Sequence, residues 1–344
     1  MDRLLLSAVA LLLASGVLHA DSPATSEQIQ GWIADLDSPR FRTRDRATRE
    51  LQKAGPDAAA ALAKAARNGS AEAADRALRI LGDMTEGADK KTEEAARRHL
   101  RRIAEGSSAA AGDALAILHR KRNRLLAQLR FAGATYREEG GQVTSITLDT
   151  AGDLELILPV LKEFPELDYL SISNKRFSDA NAVHLKELPS LQYLNLFESN
   201  IGDEGLKHLT GLKNLRNLPM GHTRVTDKGL EIISGMTQLE YVGCRGNNVT
   251  DKGLEHLKNL TNLTGLNLNE TKVTDAGLKK LAPLTKLKHL YLATTAVTDT
   301  GLEHLREFKD LRNLDLSLSK TTSTGRARLI EALPELLIDL SKDP

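Results

Sequence analysis

Between Val143 and about Leu340 the apolar residues return every 24 positions. One column reads Val143, Leu167, Leu191, Leu215, Leu239, Leu263, Leu287 and Leu311. A second runs three positions later, from Ile146 through Leu170 and Leu194 to Leu314, and a third two further on, from Leu148 through Ile172 and Leu196 to Leu316. An aspartate keeps the same step: Asp179, Asp203, Asp227, Asp251, Asp275, Asp299. The alternation in Leu-x-x-Leu-x-Leu suits a strand with its leucines on one face. The stretch after each aspartate reads as a short helix. One strand and one short helix cannot bury their own apolar faces, so the period predicts a solenoid in which stacking buries them.

Before Ala134 the spacing is helical. Breakers at Asp37-Ser-Pro39, Gly55-Pro56, Asn68-Gly69 and Glu86–Asp89 divide it into helices over Ser26–Leu36, Pro39–Lys53, Asp57–Arg67, Ser70–Met84, Thr92–Glu105 and about Ala109–Phe131. Their faces are rich in alanine, which lets helices approach closely. The expected organisation is therefore a leader over residues 1–20, an all-helical domain over 21–136 and a solenoid of about eight repeats over 137–344. Arg137–Gln142 reads as the linker. The long helix before it is expected to dock on the first repeat, covering its apolar end, and Leu333–Leu340 to close the other.

The repeats resemble leucine-rich repeats of the 24-residue kind found in many bacterial proteins, close to the GALA type. Leu191–Leu209, ending Ser-Asn-Ile-Gly-Asp-Glu-Gly-Leu-Lys-His-Leu, is the nearest match. The resemblance implies a right-handed α/β horseshoe, with a parallel sheet on the concave side and short helices on the convex side. It implies binding, not a reaction. GALA-type effectors join such repeats to an F-box; the sequence has no F-box-like segment, so that activity is not carried over. The helical half resembles HEAT or armadillo-like repeats.

Fixed positions in the phrase read as structural. Thr226-Asp227-Lys-Gly-Leu230 is a helix start, with the aspartate expected to cap its own helix. Gly205, Gly229, Gly253, Gly277 and Gly301 fall where a side chain would crowd the next repeat. Ser199, Thr223, Asn247, Thr271, Thr295 and Ser319 place a short polar group where the chain leaves the sheet, where it can bond backbone. The sole cysteine, Cys244, lies in a leucine column as a small core residue. His184, His208, His256 and His304 share a helix position interrupted by Ile232 and Lys280, too broken a row for a zinc site. No metal, cofactor, phosphate loop or catalytic triad is signalled, and the chain reads as non-enzymatic.

Specific information lies at the variable strand positions. The first column carries Tyr169, Tyr193, Tyr241 and His289; the second Asn195, Asn267, Tyr291 and Asp315; the third Phe197, Arg245 and Asn269. Four of the five tyrosines fall here, in a chain only 3% aromatic. Tyrosine offers contact area and a hydrogen-bonding tip at little entropic cost, and Arg245 beside Tyr193, Phe197 and Tyr241 would make a hot spot. The expected role is an exported scaffold that binds a protein along this face. An envelope or extracellular polysaccharide is the alternative, because Asn195, Asn267, Asn269 and Asp315 suit sugar hydroxyls; a passive envelope component is a third reading.

Charge and leader fit this picture. Formal net charge is +1, which argues against nonspecific polyanion binding by the whole molecule. Residues 21–130 carry 21 Lys+Arg against 16 Asp+Glu, and residues 131–344 carry 25 against 29. Arg3, the apolar run Leu4–Ala14 and Leu18-His-Ala20 form a signal peptide with a cleavage site, too short to span a bilayer. Export to the periplasm or medium is expected, with no stable membrane insertion and no nucleic-acid partner, despite Arg-rich stretches at Ala96–Arg102 and His119–Arg124.

Overall fold

The computed structural model describes residues 23–87 and 89–341; the expected leader lies outside them. The chain forms two compact units, dividing between Leu125 and Leu126.

The first unit is helical. Its helices are α1 (Ser26–Asp35), α2 (Phe41–Lys53), α3 (Ala59–Asn68), α4 (Ala71–Met84), α5 (Lys90–Ala104) and the first part of α6 (Ala110–Phe131). Three start on their own caps. Thr25 and Gln28 bond reciprocally, Ser70 accepts from the Ala73 amide, and Asp89 accepts from Lys91 and Thr92. The Asp89 cap sets the start of α5 at Lys90, ahead of the expected Thr92. Helix α1 packs on α2 and α3, and α4 packs on α2, α3 and α5. Leu51, Leu62, Leu81, Leu100 and Ile103 fill the core among Ala59, Ala63, Ala77 and Ala96.

The second unit is an α/β solenoid. Ten strands form one sheet in chain order: β1 (Thr135–Glu139), β2 (Gln142–Thr147), β3 (Tyr169–Ser171), β4 (Tyr193–Asn195), β5 (Asn217–Pro219), β6 (Tyr241–Gly243), β7 (Gly265–Asn267), β8 (His289–Tyr291), β9 (Asn313–Asp315) and β10 (Leu337–Asp339). Strands β2 to β10 run parallel, each residue pairing with the one 24 positions on (Tyr169 with Tyr193, Gly265 with His289). Between β4 and β5 the register narrows to Tyr193 and Asn217, since Pro219 has no N–H to donate. Short helices such as Asp227–Ile233 and Asp275–Leu278 return the chain from one strand to the next. The leucine columns are fully buried, Cys244 with them.

Two expectations about the ends are corrected. Arg137–Gln142 is no linker: Thr135–Glu139 pairs antiparallel with Gln142–Thr147 through a Gly140-Gly141 turn at φ 56° and 77°. Both turn residues need the left-handed region, where glycine is unstrained. Strand β1 thus covers the first edge of the sheet. At the other end Leu337–Asp339 adds a further rung instead of closing the stack, and Leu337 stays 70% exposed.

The aspartates do not cap their own helices. The cap is the preceding threonine: Thr226, Thr250, Thr274 and Thr298 each accept from the amide two residues on. Each aspartate instead reaches the next coil. Asp227 accepts from the Thr250 amide at 2.7 Å and its hydroxyl at 2.6 Å, and Asp251 does the same for Thr274. A Cβ at Gly253 would lie 2.4 Å from Asp227 Oδ1, so the glycine is required by the aspartate of the coil before it. In the short polar column Thr223, Asn247, Thr271 and Thr295 bond backbone as expected, the Thr271 and Thr295 hydroxyls donating to the Leu268 and Leu292 carbonyls at 2.6 Å, whereas the buried Ser199 hydroxyl has no partner.

Candidate functional site on the open face of the sheet

Because strand side chains alternate, burying the leucines turns the variable columns outward. Tyr169 and Tyr193 occupy neighbouring rungs and stack, ring centroids 4.7 Å apart and planes 10° apart. Burial, and secondarily Tyr169, pushes the Tyr193 phenol above its ordinary pKa. Tyr241 lies down on the sheet. A Cβ at Gly265 would come 2.6 Å from its ring and one at Gly243 3.2 Å, so these two glycines make the bed for the ring. Burial chiefly raises the Tyr241 pKa, against a side-chain hydrogen bond with Asn267 that lowers it; Tyr291 and Tyr193 add to the rise. These phenols stay protonated near neutrality and can donate.

Beyond the strands, Phe197 meets the His222 ring edge-on at 5.2 Å and fills the space over Gly221. Arg245 is engaged by Glu270, with Nε and Nη2 donating to Oε1 at 2.9 and 2.6 Å. His222 Nε2 stands 3.7 Å from the other Glu270 oxygen. Arg245, expected beside the tyrosines, is thus held by Glu270, with His222 next to it, two residues to which no sequence pattern points. Glu270 and His222 belong to a column defined by backbone geometry: Glu198, His222, Glu270, Thr294 and Leu318 all have φ between 52° and 59°, with Gly246 at 68°. Side chains rarely adopt this conformation. Here the turn is held by ladder bonds from Glu198, Glu270 and Thr294 amides to carbonyls of the next coil, 2.8–2.9 Å.

The polar candidates divide. Asn195 accepts from the Phe197 amide and donates to Ser171 Oγ, each at 3.0 Å, and Asn267 accepts from the Asn269 amide; both remain half-buried. His289 Nδ1 contacts Asn313 Nδ2 at 2.9 Å. Asn269 and Asp315 are 5% and 8% exposed. Asn269 accepts from the Ala293 amide and donates to Asp315 Oδ2, while Asp315 accepts from the Ser317 amide. Their hydrogen-bonding capacity is directed into the fold. The surface that meets solvent is thus the tyrosines with Phe197, Asn195, Asn267, His289 and the Arg245–Glu270 pair. Among the described residues no group of three or more His, Cys, Asp or Glu is placed to hold a metal, and no helix is long and apolar enough to cross a membrane.

The family model described as "Leucine Rich repeat" matches residues 187–209 and 259–282. The coils of this solenoid are leucine-rich repeats. No curated protein matches the chain. Solved structures with similar repeats include an internalin (inlF) from Listeria monocytogenes, 22% identical over 53% of this chain and 56% of that one, TM-score 0.42. Internalin C2 from the same organism is 22% identical over 52% and 81%, TM-score 0.42. The Arabidopsis receptor kinase HAESA ectodomain, solved with a peptide hormone, is 18% identical over 63% and 40%, TM-score 0.45. The chain spans about half of the first of these.

Proposed function

We propose that this leucine-rich-repeat protein is a non-enzymatic scaffold, exported by its first twenty residues, that binds a protein partner across the open face of its sheet. The observation that carries the reading is the placement of Tyr169, Tyr193, Tyr241 and Tyr291 on one outward face. Rings held by stacking or by a glycine bed lose little entropy on binding, and their phenols supply directional bonds. Capture of partners by the wild-type chain and by Tyr193→Ala/Tyr241→Ala, both checked for intact folding, tests it. Capture falling at least about tenfold supports the face, consistent with two hot-spot truncations; undiminished capture rejects it.

A second reading has its own observation. The Tyr241 ring lies over Gly243 and Gly265, and Asn267 stands on the neighbouring strand in register with Gly243. That arrangement offers a platform for one face of a sugar with an amide at its rim, and so favours a polysaccharide. Binding on a glycan array that is lost in Tyr241→Ala would establish it over a protein partner.

A further inference from the structure

The open face carries a period longer than one coil. Along the row that pairs strand to strand stand Tyr193, Asn217, Tyr241, Gly265, His289, Asn313 and Leu337. A ring or a leucine occupies every second coil, with an asparagine or glycine on the coil between. Tyr169, one coil before Tyr193, stacks on it at 4.7 Å and so backs the first ring instead of adding a step. Tyr241 leans over Gly265, where a Cβ would come 2.6 Å from its ring. Tyr291 shares β8 with His289. The row ends on Leu337, which is 70% exposed.

Neighbouring strands lie about 4.8 Å apart, so these platforms recur at about 9.6 Å. A polyproline II helix turns in three residues and shows the same side at intervals of about 9.3 Å. An α-helix returns after seven residues, about 10.5 Å. An extended strand repeats after two, about 6.7 Å. Over the three steps from Tyr193 to Leu337 the polyproline helix falls behind by only about 1 Å. The α-helix overshoots by about 3 Å, and the strand is out of step by as much at the first platform.

The chemistry of the row agrees with its spacing. Proline-rich segments dock on aromatic rings, and their fixed φ leaves little entropy to lose. A polyproline II helix makes no internal hydrogen bonds, so its carbonyls need donors. The phenols of Tyr193 and Tyr241, which burial keeps protonated, supply them. So does Asn217 between them, whose amide makes no hydrogen bond among the described residues.

We propose, building on the protein-binding reading above, that the segment this face recognises is a proline-rich stretch in the polyproline II conformation. It lies across the strands, with one residue in three on Tyr193, Tyr241, His289 and Leu337.

The test is fluorescence anisotropy of the full chain with end-capped oligoprolines of four, seven, ten and thirteen residues. The first three lengths span one, two and three steps of the row. Affinity should rise about fivefold from four to seven residues and again from seven to ten, then level off. Y241A should weaken the seven-residue probe about fivefold or more, since every seating of that length includes Tyr241. L337S, at an exposed position, should cancel only the rise from seven to ten. No binding, a smooth rise that continues past ten, or affinities that ignore both variants overturns the proposal. So does binding of cellohexaose with oligoproline ignored, which would give the row to a polysaccharide. Protein capture that needs Tyr193 and Tyr241 while oligoproline is ignored also overturns it, and leaves the protein-binding reading intact. Capture that ignores the tyrosines removes both.

Discussion

In the helical unit the helix caps and the acid–arginine pairs along each helix close within a few residues; the solenoid adds a repeating set of side-chain bonds that reach a whole coil on. Ser70 caps the helix that begins beside it, and Asp75 meets Arg79 one turn on. Asp227 skips its own helix and holds Thr250, 23 positions later. The difference teaches where damage should travel. A local bond lost in the first unit frays one helix, whereas a bond lost in the second loosens two coils and the stacking between them.

The largest expected effect is in the leucine columns. Leu266→Ala, at the centre of β7, should cost about 2–5 kcal/mol. Hydrogen exchange should rise in β6 and β8 as well as in β7. If protection falls in β7 alone, coils respond singly and the comparison fails. Next comes a matched pair. Asp251→Ala leaves the Thr274 amide and hydroxyl without their acceptor and should cost about 1–3 kcal/mol. Thr25→Ala removes one cap bond and should cost about 1 kcal/mol. Chemical denaturation of both variants, followed by hydrogen exchange at the neighbouring element, decides whether reach and size go together.

The smallest effect concerns acid. Hydrogen bonds from Thr322, its side chain first and its amide second, hold the Asp299 carboxyl below its ordinary value of 3.8. A carboxyl depressed in the folded state contributes stability above its unfolded pKa and loses it as pH falls through the folded one. The contribution is therefore present above about pH 4 and fades below it. Asp299→Asn should flatten the acid limb of stability slightly at the last coils. An unchanged acid limb would show that the Asp299–Thr322 contact carries no weight in solution.

Much of this was legible in the sequence because the repeat makes it so. A strict period fixes register: once Tyr169 and Tyr193 stand 24 apart, their pairing in β3 and β4 follows, and so does the burial of the columns between them. Helix limits in the first unit were readable at Gly55-Pro56 and Asn68-Gly69 because those residues interrupt helices wherever they stand. What escaped had two causes. Gly140-Gly141 reads as slack chain, yet two left-handed residues flanked by Thr135–Glu139 and Gln142–Thr147 make a hairpin turn. And a pattern within one repeat cannot tell a bond to the same coil from a bond to the next, which hid the reach of the aspartates. The site suffered more. Whether Asn269 lies open or bonds Asp315, and whether Arg245 faces Tyr241 or Glu270, depends on rotamers across adjacent rungs, which no single column reveals.

The aspartate bonds also have a direction. Each coil from Asp203 to Asp299 offers its acceptors forward, to a threonine that emerges later during synthesis. A nascent coil is thus left with open acceptors until its successor is made, so the solenoid should consolidate from its amino end one turn behind the ribosome.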